Sequence, residues 1–157
     1  MTHFEDELNQ LFNRIFRSIQ DLEEAMLHAS KNLNLSISEI HTLEAVDVAG
    51  RDSVGATISG ISEYLDISLP SVTLAINKLE KKGYVTRQKC ENDGRVVRVG
   101  LTRQGQRANR AHQYFHRNMV HAISAELEEE DKTALLKGVR KLDAFLDANI
   151  AKYEDMQ

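Results

Sequence analysis

The 157-residue sequence predicts a mainly α fold carrying one small β-wing. Three observations point there. The breakers are confined to the middle: the only proline is Pro70, and glycines concentrate between residues 50 and 105. Both flanks carry apolar residues at helical spacing. Two strand-like runs, Tyr84–Lys89 and Val96–Leu101, surround the polar turn Glu91–Gly94.

The first helix is expected over about residues 4–30. Leu8, Phe12, Ile15, Ile19, Leu22 and Met26 step by alternating fours and threes, a seam suited to pairing with another helix, and Leu11 and Phe16 widen it. Ser36 and Glu39 form a capping box that starts a second helix, running to about Ala49 with Ile40, Leu43 and Val46 inward. Residues 50–55 read as a loop. A short third helix, 58–65, takes Thr57 as N-cap and turns Ile58, Ile61 and Leu65 inward. A tight connection leads to a fourth helix, 69–82, with Ser68 as N-cap, Pro70 in the first turn and Gly83 closing the end. Its buried stripe is Val72, Ile76 and Leu79. After the hairpin, Thr102 caps a long helix to about 125. The acidic run Glu126–Asp131 reads as a solvated junction. A last helix over about 131–151 has Leu135, Val139, Leu142, Leu146 and Ile150 on one face.

Composition narrows the function. No stretch approaches the roughly 18–20 apolar residues of a membrane span, and the N-terminus lacks a basic start followed by an apolar run. The lone cysteine, Cys90, cannot form an internal disulfide. A cytoplasmic location with no membrane partner is expected. Net charge is −4, yet residues 68–110 hold four Lys and six Arg against Glu80, Glu91 and Asp93, a net +7 that leaves −11 elsewhere. A basic island in an acidic chain is the footprint of a phosphate-binding surface. No nucleophile with a base, no paired carboxylates and no phosphate loop are recognisable, so an enzyme is not expected.

Helix, short helix, tight turn, helix and hairpin in that order make a winged helix-turn-helix over 36–101. The flanking helices over 1–35 and 102–157 carry apolar stripes that must be buried on the body or on a partner chain. The fourth helix turns Pro70, Ser71, Thr73, Leu74, Asn77, Lys78 and Lys81 outward, and its N-terminus with Ser68 offers N–H groups to a phosphate. The hairpin adds Arg87, Lys89 and Arg98 on its strands. At its tip Arg95, steadied by Asp93, is placed for a minor groove.

The run Ser68–Val85 (SLPSVTLAINKLEKKGYV) resembles the recognition helix of MarR-family regulators. Asp93–Arg95 and Leu101–Gly105 (LTRQG) resemble that family's wing and the start of its dimer helix. The resemblance covers about residues 36–125 at motif level. It implies a homodimer whose two winged helices straddle a palindromic operator, with residues 1–35 and 102–157 as a helical dimerisation region and Leu8, Phe12, Ile15, Ile19, Leu142, Leu146 and Ile150 as its contacts. One departure is Leu74, where many members carry arginine; base reading then leans on Thr73, Asn77 and thymine methyls, which suggests an AT-rich operator. Ser38–Leu43 (SEIHTL), Asn77–Tyr84 (NKLEKKGY) and His112–Val120 (HQYFHRNMV) are similar to the FabT branch of fatty-acid biosynthesis repressors. That likeness implies a repressor with an acyl chain on acyl carrier protein as effector. The expected pocket is His41, His112, Phe115, His116 and Met119.

Other readings stand beside these. His112 and His116 share a helix face and could hold a metal with His41, but no cysteine cluster or H-E-x-x-H accompanies them. Packing or pocket lining is the expectation, with no metal and no cofactor. Cys90 reads as an incidental wing residue rather than an oxidant sensor. A regulator answering to another small molecule, a metal or an oxidant, or a helical module that binds no DNA, remain the alternatives.

Overall fold

A computed structural model describes residues 2–30, 33–51, 55–89 and 97–154. The elements follow in the expected order: α1 (His3–Ala29), α2 (Ile37–Ala49), α3 (Ile58–Leu65), α4 (Leu69–Lys81), β1 (Val85–Lys89), β2 (Val97–Leu101), α5 (Arg103–Ala125) and α6 (Glu129–Glu154). The chain is a mainly α protein with a two-stranded antiparallel wing. The wing tip, with Cys90, Asp93 and Arg95, lies outside the described residues, as does the turn Glu91–Gly94.

Caps set the helix starts. Ser36 and Glu39 satisfy each other's backbone N–H groups at the head of α2, and Thr2 and Glu5 do the same for α1. Thr57 accepts from the Gly60 N–H, and Ser68 from the Ser71 N–H. Asp66 ends α3 in the left-handed region (φ 52°), which a short polar side chain tolerates. Gly83 (φ 79°) ends α4, and its N–H and that of Tyr84 reach back to the Glu80 and Leu79 carbonyls.

The core is centred between α2 and β2, and Leu27 of α1 and Ala108 of α5 join it. Ile40, Leu43, Ile61, Val72, Ile76, Leu79, Tyr84 and Val99 are buried together, with Ile58 and Leu65 partly buried against them. α2 packs on α3, α4 and β2. In the wing, Val85 pairs with Leu101 and Lys89 with Val97. Ala56, the residue after the expected loop, adds one isolated antiparallel bridge to Val99. Thr102 ties the hairpin to α5: its hydroxyl donates to the Gly83 carbonyl (2.7 Å) and accepts from the Gly105 N–H (3.1 Å). A Cβ on Gly105 would lie 2.1 Å from the Tyr84 carbonyl oxygen. Helix α5 therefore starts in direct contact with the backbone of Tyr84, just ahead of β1, which only glycine permits.

The chain divides into two compact units, Met1–Tyr114 and Phe115–Gln157. α6 begins at Glu129, so Glu129, Glu130 and Asp131 form its first turn rather than a junction. Carboxylates there complement the positive end of the helix dipole. None of its described residues is buried.

Candidate nucleic-acid interface

Helix α4 is anchored by three residues and offers the rest. Val72, Ile76 and Leu79 are fully buried, which turns Pro70, Ser71, Thr73, Leu74, Lys78 and Lys81 to solvent and leaves Asn77 half-buried. Leu74 is 63% exposed. The Thr73 hydroxyl donates to the Leu69 carbonyl within its own helix (2.9 Å), so it presents a methyl group and an acceptor oxygen. The Ser68 and Ser71 hydroxyls lie 2.8 Å apart at the helix start. The outward face is thus apolar in its middle, hydroxylic at its head and cationic at its tail.

The basic island sorts into two groups. Arg87 pairs with Glu80 at 2.8 Å, pinning β1 to α4. Arg98 donates to the Gly55 carbonyl (3.0 Å), holding β2 to the segment before α3. Lys82 bonds Glu39 at 2.8 Å and the Asn34 carbonyl at 2.9 Å, joining α4 to the head of α2. Burial pushes the Glu39 carboxyl up. The Lys82 ammonium and the Ser36 N–H outweigh it and hold the group below the ordinary carboxylate value. Lys78, Lys81 and Lys89, by contrast, are exposed, as are Arg103, Arg107 and Arg110 on the first turns of α5.

This geometry has known counterparts. A family model described as the MarR family matches residues 35–97. The crystal structure of Streptococcus pneumoniae FabT in complex with DNA is 36% identical, covers 91% of this chain and 97% of that one, and superposes with a TM-score of 0.83. The chain belongs to the MarR family. Staphylococcus aureus MepR shares the fold. Its DNA complex is 22% identical over 88% of this chain and 97% of that one, with a TM-score of 0.68. Its ethidium bromide complex is 22% identical over 93% and 97%, with a TM-score of 0.65. A search of curated protein sequences returned no match.

As a MarR-family transcription regulator, the chain is not an enzyme. No helix among the described residues is long and apolar enough to cross a membrane. The residues expected around an effector fall in both units. His41 and His112 stand together in the first, with ring centroids 5.4 Å apart. Phe115, His116 and Met119 belong to the second, where the Phe115 and His116 rings meet edge to face. Joining the two histidines is Glu23 of α1, which sequence reasoning passed over. Its only signal was spacing: Glu23 precedes Leu27 by one turn, and these are the two buried residues of α1.

Proposed function

We propose that this MarR-family regulator binds a palindromic operator in duplex DNA as a homodimer and acts as a repressor. Residues 36–101 are the DNA-binding domain, and 1–35 with 102–157 the dimerisation region. The observation that carries this reading is the outward face of α4. It is exposed except at the half-buried Asn77, on a chain 36% identical to a FabT that was crystallised on DNA.

Two α4 helices about 34–36 Å apart enter successive major grooves. Ser68, Pro70 and Ser71 lie against a phosphate at the helix head. Thr73, Leu74 and Asn77 face base edges, where the exposed Leu74 and the Thr73 methyl favour thymine methyls over guanine. Lys78, Lys81 and Lys89 neutralise phosphates. Arg87 and Arg98 contribute field from their paired positions, and Arg95 enters the flanking minor groove with Asp93 beside it. The apolar seams of α1 (Leu8, Phe12, Ile15, Ile19) and α6 (Leu142, Leu146, Ile150) are the dimer contacts.

The FabT likeness supports fatty-acid biosynthesis genes as targets. An acyl chain carried by acyl carrier protein is then the effector. Selection of sites from random duplex DNA, with and without acyl-acyl carrier protein, tests both levels. A recovered palindrome is expected, as is a change of affinity on adding the carrier protein. No enriched sequence would refute the operator reading, and an unmoved affinity would refute the effector.

A further inference from the structure

Glu23 of α1, His41 of α2 and His112 of α5 converge from three helices. Each offers one donor atom, and the three lie within 4.8 Å of one another. Glu23 Oε1 is 3.5 Å from His41 Nε2 and 3.6 Å from His112 Nε2. Charge-assisted hydrogen bonds are shorter, about 2.7–2.9 Å. Zinc bonds of about 2.0–2.2 Å to nitrogen and oxygen, arranged tetrahedrally, put neighbouring ligand atoms about 3.3–3.6 Å apart. The two measured separations are edges of that size.

We propose that Glu23, His41 and His112 form a binding site for a divalent cation of the zinc class. The chemistry narrows the ion. Two imidazoles and one carboxylate suit zinc, whereas magnesium and calcium want a shell of oxygens and copper(I) wants sulfur. His112 is 1% exposed and Glu23 5%, so both are fixed by their surroundings. The His41 side chain is 41% exposed, which gives the ion an entry path and leaves room for water as fourth ligand. The other ring nitrogen of His112 faces Glu44, whose Oε2 is 3.9 Å from Nδ1. A carboxylate behind a metal-binding histidine orients the ring and raises its basicity.

An ion here ties α1 and α5 to α2. Under the reading above, those are elements of the dimerisation region and of the DNA-binding domain. Occupancy then biases operator affinity by linkage. That regulatory consequence rests on the DNA-binding reading; the site itself does not.

The test is a zinc titration of chelator-stripped, full-length protein against a chromophoric competitor, with thermal melting in parallel. One zinc per chain is expected, together with a melting temperature that rises with zinc and falls back on chelation. His41→Gln, at the half-exposed position, should melt like the wild type without zinc yet bind zinc at least tenfold more weakly. Glu23→Gln and His112→Gln should lose binding similarly, and His121→Gln, at an exposed position on α5, should keep it. A chain that takes up no zinc overturns the proposal, as does His41→Gln with undiminished affinity. The titration contains no DNA, so its failure leaves the operator reading standing. A regulator that binds zinc but no duplex leaves the site standing.

Discussion

The winged helix and the long flanking helices treat their apolar residues in opposite ways. Between α2 and β2, Ile40, Leu43, Ile61, Val72, Ile76 and Leu79 are all fully buried. In α1, Ile15 is 49% and Phe16 69% exposed; in α6, Phe145 is 62% and Ile150 52% exposed. One region closes its own core. The other carries helical stripes that a helix in water cannot sustain for its own stability. The contrast teaches that the chain is complete as a reading head and incomplete as a scaffold, which is why the proposed function needs a second copy.

The sharpest way to break this contrast is to remove a flank. Deleting residues 1–28 should abolish the dimer and yield monomers or aggregates. A fully active dimer of the truncated chain, seen by size-exclusion chromatography with light scattering, would remove α1 from the interface. Next in size is a paired substitution. Ile76→Ala empties a fully buried site and should cost about 2–5 kcal/mol in chemical denaturation. Leu146→Ala should cost the isolated chain only about 0.5 kcal/mol but weaken the dimer, so its effect grows with dilution. Equal losses in both, independent of concentration, would show that α6 is no interface.

A third comparison lies within the basic island. Arg95→Ala should weaken operator binding about tenfold or more, corresponding to roughly 1–3 kcal/mol for a base-level contact, with the dimer intact. An unchanged affinity at moderate salt, measured by fluorescence anisotropy, would take the wing out of the mechanism. A modest effect, on stability rather than on DNA, is expected at Lys82, whose charge is engaged in structure. Lys82→Ala should lower stability by about 1 kcal/mol at neutral pH. The Glu39 carboxyl is held below its ordinary value of 4.5. Its contribution is therefore full above that value and fades as pH falls through the lower folded one. The gap between Lys82→Ala and wild type should narrow in acid to what the bond to the Asn34 carbonyl contributes; a gap that does not change with pH would take the Glu39 pairing out of it.

Local chemistry made the winged helix legible. Ser36, Thr57 and Ser68 are caps whose side chains can only satisfy N–H groups just ahead of them, so three helix starts were readable to within a residue or two. Gly83 and the Leu101–Gly105 run were equally readable, although not the contact of Gly105 with Tyr84 that explains the latter. The start of α6 is less legible, because an acidic run suits solvent and a helix head alike. Glu129, Glu130 and Asp131 are as polar as a loop, yet they are well suited to a helix head. Long-range pairing was not legible. Net charge cannot reveal that Arg87 is engaged by Glu80 and Arg98 by Gly55. Nor can periodicity reveal that Glu23, on an amphipathic helix, meets two histidines separated from it by 18 and 89 positions in the chain.

The account stands on α4 being one half of a two-fold reading head. Sedimentation of the protein alone, and with its selected duplex over a range of salt, tests that directly. A dimer is expected, seated as two chains per duplex, with an association constant that falls steeply as salt rises because displaced counterions drive the binding. A protein that sediments as a monomer and leaves the duplex untouched at low ionic strength would contradict it.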